Sequence, residues 1–144
     1  MIKLELVTLS GTKVADDVYE VLLPTLAGII GVMPGHMPLV SVATNGVISI
    51  RRNANDADDM MEHYATHGGV IEVDNNILRV LVDEADSGEE INEAEAQKAI
   101  ERAKKMKSEA KDQVSLEQAQ SLIDRYEVRL KVADLKRRTR SRRA

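Results

Sequence analysis

His63 and His67 stand four residues apart, a spacing that seats a metal ion on one face of a helix. Here they belong to the run Met60-Met61-Glu62-His63-Tyr64-Ala65-Thr66-His67, which leads into Gly68-Gly69 and reads as a strand. On a strand the two rings share a face but lie roughly 13 Å apart, too far for one ion. No Glu follows His63, so the zinc-protease pattern fails as well. His36 sits in Pro34-Gly35-His36-Met37-Pro38, a rigid loop with no adjacent partner to make it a general base. Gly28, Gly31 and Gly35 do not have phosphate-loop spacing, and no Lys follows them, so they read as turn and close-packing positions. Asp56, Asp58 and Asp59 lack the glycine and distal glutamate of a calcium loop and read as a solvated hairpin. The chain has no cysteine, which excludes a disulfide framework, a thiol nucleophile and a Cys-ligated metal. No catalytic residue and no metal-ligand set is assigned. The residues point to a binding or coupling protein.

The elements that would position any site follow from composition. The 144 residues are 43% apolar and 31% charged, the balance of a soluble globular chain. Aromatics are 2%, which argues against single-stranded nucleic-acid binding on aromatic platforms. Met1 to Leu6 alternates apolar and charged residues, so no secretory leader is expected. Leu26 to Met33 is too short to cross a bilayer, so any work at a membrane is expected beside it. The overall charge of −4 hides a division. Residues 1–90 carry five basic against fifteen acidic groups, and residues 91–144 carry fifteen against nine, giving −10 and +6. Every glycine and proline precedes residue 91. The expected division is a β domain over 1–88 and a helical segment with a basic tail over 89–144.

In the first part Ile2, Leu4 and Leu6 alternate with charged residues. Val18 to Leu23 is a second β-rich run, which Pro24 is expected to end. Further runs are Val47–Ile50, Met60–Thr66, Val70–Val73 and Ile77–Val82, separated by Gly, Asn and Pro turns. Short strands at this spacing predict a β-sandwich or barrel. In the second part Asn92 and Glu95 form a capping box ahead of Ala96, Ala99, Ile100, Ala103, Met106 and Ala110. The run breaks at Asp112-Gln113-Val114, and Ser115 with Gln118 repeats the capping spacing. Leu116, Ala119, Leu122, Ile123, Tyr126, Leu130 and Ala133 form the second stripe. Two antiparallel helices are predicted, ending in a frayed basic tail. An alanine seam buries little apolar area, so the hairpin is expected to dock loosely and to be a moving part.

Gly28-Ile29-Ile30-Gly31-Val32-Met33-Pro34-Gly35-His36-Met37-Pro38-Leu39-Val40 resembles the loop-and-strand signature of the epsilon subunit of bacterial F-type ATP synthases. Gly68 to Val73, followed by Asn76 to Val82, resembles a second signature of that family. The order, the spacing and the helical segment extend the resemblance over the whole chain. It implies a sandwich of ten strands with a C-terminal two-helix hairpin. It also implies a non-catalytic central-stalk subunit on the cytoplasmic face of the bacterial membrane, coupling proton flow to the catalytic head. Its partners would be the gamma subunit and the membrane rotor ring of c subunits. The hairpin would extend to the alpha and beta subunits to block ATP hydrolysis.

Carried over by position, the resemblance implies that Leu26, Ala27, Gly28, Ile29 and Ile30 meet the rotor ring. Ile29 stands where the family often has an acid, which implies an apolar contact. Thr8, His36 and Ser41 match positions near gamma. Some members bind regulatory ATP through Ile-Asp-x-x-Arg-Ala and further arginines. Here Ile91 and Asn92 open the motif, Glu95 replaces its arginine, and Arg102, Arg125 and Arg129 match the others. Glu95 places a negative charge where the triphosphate meets a positive one. The expectation is no resident cofactor, with ATP as the one regulatory ligand to test. The competing reading is a stand-alone β-sandwich adaptor whose basic helices grip an acidic partner such as nucleic acid.

Overall fold

The structure is a computed structural model that describes residues 1–143, with side chains through Arg142. Ala144, the last residue of the expected helical segment, lies outside the described residues. Ten strands come first: β1 (Ile2–Thr8), β2 (Gly11–Val18), β3 (Glu20–Thr25), β4 (Gly28–Val32), β5 (Leu39–Ala43), β6 (Gly46–Arg51), β7 (Glu62–Thr66), β8 (Gly69–Asp74), β9 (Ile77–Val82) and β10 (Ala85–Ser87). Two helices follow, α1 (Glu93–Glu109) and α2 (Gln113–Arg143). The strand order is β10-β7-β6-β3-β5-β8-β9-β1-β2, with β4 on the outside of β3. All pairings are antiparallel except β1 with β9. The ten-stranded sandwich and the helical pair are the architecture expected from the sequence.

Alternation explains the core. Ile2, Leu4 and Leu6 of β1 are fully buried with Leu78 and Val80 of β9, Ile71 and Val73 of β8, and Ile48 and Ile50 of β6. A second, much smaller apolar cluster joins Ala65 of β7 and Ile91 to Val132 and Ala133 of α2, with Val47 and Val128 against it. This cluster holds the hairpin to the sandwich.

Several local expectations are corrected. The run from Val18 to Leu23 is not one strand: β2 ends at Val18 and β3 begins at Glu20. Pro24 does not end β3; it lies inside it, where the strand passes from pairing with β6 to pairing with β5. There its missing N–H breaks no ladder bond, and its carbonyl accepts the Thr44 N–H. Gly28, at φ 115° where β4 leaves its turn, and Gly31, where a Cβ would meet Leu22 Cδ2 at 3.4 Å, have the turn and close-packing roles expected of them. The Met60–Thr66 run opens as a single 3-10 turn over Asp58–Met60 before β7 begins. β2 gave no strand signal because it is an edge strand with Val14 and Val18 as its buried residues.

The helices differ from expectation at their ends. Asn92 caps α1, its Oδ1 accepting the Glu95 N–H at 3.0 Å. Asp112, not Ser115, caps α2: its carboxylate accepts the Ser115 N–H at 2.7 Å, which holds that carboxyl below the usual range. The alanine seam of α1 is buried from Ala96 to Ala103, but Met106 points out at 49% exposure. The basic tail is helical through Arg143 rather than frayed. Lys136 pairs with Glu89, Arg137 with Glu93 and Asp134, and Arg138 with Asp134.

Candidate functional site

The histidines lie apart from one another. Nδ1 of His36 donates to the Met37 carbonyl at 2.7 Å, and His67 lies 3.5 Å from Asn45 Oδ1. His63 faces Ser49 across the β6–β7 ladder, with Nδ1 2.8 Å from the hydroxyl. That serine–histidine pair was invisible in sequence, since 14 residues separate the two. It lies beneath α2, with Ser49 8% exposed. Burial and the nearby Lys131 of α2 push the His63 imidazole below its ordinary value. Among the described residues no cluster of His, Asp or Glu has the arrangement of a metal site.

The residues matched to a rotor contact form a protruding tip. Leu26 and Ala27 make the β3–β4 turn, closed by the Thr25 hydroxyl donating to the Gly28 carbonyl at 2.6 Å. Leu26 is 85% exposed and Ile29 74%. Ala27 and Gly28 are also exposed, whereas Ile30 turns partly back onto the sandwich core. Apolar side chains held this far into water, on a closed turn, bury little area in the fold and mark a contact surface.

The residues matched to gamma are not a single patch. Thr8 is buried at the end of β1, its hydroxyl donating to the Gly11 carbonyl at 3.1 Å. His36 lies before Leu39, where β5 begins, while Thr8 lies at the sheet end shared with Ala43, where β5 finishes. Ser41 pairs with buried Ile71 and is itself half-buried. Beside Thr8 the sheet presents an apolar row that sequence reasoning missed. Val42 pairs with Val70, Val70 with Leu81, and Leu81 with Val7, crossing four adjacent strands. Val42, Val70 and Leu81 are 46–54% exposed. Beside them Arg79 bonds Glu5 at 3.1 Å and approaches Glu72 at 3.8 Å. The signal was present: Leu39-Val40-Ser41-Val42 and Val80-Leu81-Val82 are apolar on both faces of their strands.

Four of the five residues matched to ATP converge on one cleft of about 610 Å³ between the helices and the sandwich. Asn92, Arg102, Arg125 and Arg129 line it, while Ile91 is buried in the small apolar cluster instead. The cleft is already rich in carboxylates. Glu84 receives Arg125 in a bidentate pair at 2.6 and 2.5 Å, which raises the guanidinium pKa, and Asp86 receives Arg129. Glu84, Glu90 and Glu95 all line the walls. Arg102 is exposed and forms no ion pair among the described residues.

Residues 1–88 match the family described as ATP synthase, Delta/Epsilon chain, beta-sandwich domain. The ATP synthase epsilon chain of Solibacter usitatus is 33% identical over 135 residues, covering 94% of this chain and 97% of its own. That of Herpetosiphon aurantiacus is 32% identical over 136 residues, covering 94% and 96%. That of Prochlorococcus marinus strain NATL2A is 36% identical over 98 residues, covering 68% and 69%. A chain in the Euglena gracilis mitochondrial ATP synthase (OSCP, F1 and c-ring, rotational state 1) shares the fold. Its TM-score is 0.77 at 23% identity, over 92% of this chain and 80% of that one. A chain of the Tetrahymena thermophila mitochondrial central stalk and c-ring aligns at TM-score 0.59 and 15% identity.

Proposed function

This chain belongs to the ATP synthase epsilon-chain family, and from that membership we propose that it is a central-stalk subunit that couples rotation and restrains ATP hydrolysis through its hairpin. The observation that carries the reading is the full-length likeness to epsilon chains, sandwich and hairpin together. We treat residues 1–88 as a rigid platform and 89–144 as a mobile arm. The exposed tip at Leu26–Ile29 supports an apolar contact with the membrane rotor ring. The Val42–Val70–Leu81 row, crossing the strands at the Thr8 end of the sheet, supports a gamma-facing surface. No described helix is long and apolar enough to cross a membrane; in this reading the chain attaches peripherally, on the cytoplasmic face, through the rotor contact.

The arm acts by leaving the platform and reaching the alpha and beta subunits of the head. Support comes from the modest apolar cluster that holds it and from the basic residues along α2. Regulatory ATP is disfavoured in this reading, because Glu84 and Asp86 already occupy Arg125 and Arg129. The test is the assembled complex with a chain truncated after residue 90. ATP hydrolysis should rise, and an unchanged rate refutes the regulatory role. Calorimetry of the intact chain with ATP addresses the cleft: binding tighter than millimolar would restore the nucleotide reading.

A further inference from the structure

We infer that the hairpin is fastened to the sandwich by a graded ionic latch, in which Arg125 and Arg129 of α2 grip Glu84 and Asp86 of the platform while Lys136 ties α2 back to Glu89 at the root of the arm, so that ionic strength sets how long the arm stays docked. The inference rests on the platform-and-arm reading above, but its test needs no assembled enzyme.

The pairs run in step along both elements. Arg125 meets Glu84, Arg129 meets Asp86, and Lys136 meets Glu89 at 3.0 Å. From 125 to 129 a helix rises roughly 6 Å, and from 84 to 86 an extended chain advances roughly 6.6 Å. From 129 to 136 the rise is roughly 10.5 Å; on the other side β10 ends at Ser87, and a turn closed by the Glu90 N–H donating to the Ser87 carbonyl sets Glu89 beside Lys136. The two spacings therefore match over the first two pairs, and the turn places the third. Helical positions separated by 4 and 11 residues also fall on one face, within roughly 40° of each other. Val132 falls on that same face, between the second and third cations, and is fully buried in the small apolar cluster.

The latch is graded by burial. The side chains of the Arg129–Asp86 pair are each 22% exposed, and those of the Arg125–Glu84 pair 37% and 25%. The Lys136–Glu89 pair is more open, at 42% and 64%, and contributes least in salt. A fourth contact secures the linker: Lys13 of β2 bonds Glu90 at 2.7 Å, and Ser87 bonds the other oxygen of that carboxylate. Glu84 and Asp86 of the platform are thus intramolecular competitors for the cations that an acidic partner of the released arm would use.

The experiment is amide exchange on the full-length chain at low and high sodium chloride. Raising salt from about 50 mM to about 1 M shortens the Debye length from roughly 14 Å to 3 Å. Protection of residues 113–135 should fall about tenfold, while β1, β8 and β9 keep theirs. Glu84→Arg should produce a comparable loss at low salt, and adding Arg125→Glu should recover most of it. Salt-independent protection of α2, or a double exchange that restores nothing while the sandwich remains folded, overturns the latch.

Discussion

A single methyl group at position 88 is expected to lift the hairpin without touching the sandwich. A Cβ on Gly88 would stand 2.5 Å from Lys136 Cβ, 3.0 Å from its Cγ and 3.3 Å from the Val132 carbonyl oxygen. Carbon–carbon contacts settle at about 3.5–4.0 Å, so α2 must retreat by roughly 1 Å. A gap of that size forfeits a quarter to a half of the local dispersion attraction, and the seam affected is the small cluster around Val132 and Ala133. Overpacking costs about 1–3 kcal/mol. Gly88 does not have the left-handed φ that would strain alanine, and the reduced freedom of the open linker returns about 0.4–1 kcal/mol. A net cost of about 1–2 kcal/mol lowers the docked-to-open ratio about 5- to 30-fold. Amide exchange on the full-length Gly88→Ala chain reads this directly: α2 should lose protection by that factor, and β8 and β9 should not. The control is Gly69→Ala, whose Cβ would stand 2.8 Å from Val82 Cα inside the β8–β9 ladder and should weaken the sandwich itself. Equal α2 protection in Gly88→Ala and the parent chain would refute the packing argument.

Two further outcomes test the remaining surfaces. Acidifying from pH 7 towards 5 should loosen α2, because burial and Lys131 hold His63 below its ordinary pKa of about 6.5. A depressed base contributes stability above its unfolded value, which is lost as pH falls through the folded one. Lys136 holds Glu89 low, and in Glu90 the bonds from Lys13 and Ser87 outweigh the upward push of burial, so both stay charged through this window. An NMR titration in which His63→Gln loosens over the same range as the parent would sink this assignment. Leu26→Asp with Ile29→Asp should leave thermal unfolding within about 0.5 kcal/mol of the parent, since both side chains are in water, yet weaken attachment to membrane rotor rings in sedimentation. Unchanged attachment would remove the tip from that interface.

Local pattern was enough to determine the alternating core strand Ile2–Leu6, the Asn92 cap and the two helices, because each depends on neighbours within four residues. The division of charge at residue 90 likewise marked where sheet gives way to helix. What the tertiary structure decided is everything that depends on pairing. Pro24 fits inside β3 because two different strands take turns beside it, and β2 is a strand because β1 templates it despite its polar sequence. The Val42–Val70–Leu81 row exists through cross-strand register, which no local window contains. Arg125 and Arg129 looked like ligand residues in isolation; only the fold brings Glu84 and Asp86, more than forty positions away, to neutralise them. Hydrophobic period is a local quantity and survives in one dimension. Charge pairing depends on distance in space, and so it becomes legible when the chain is closed upon itself.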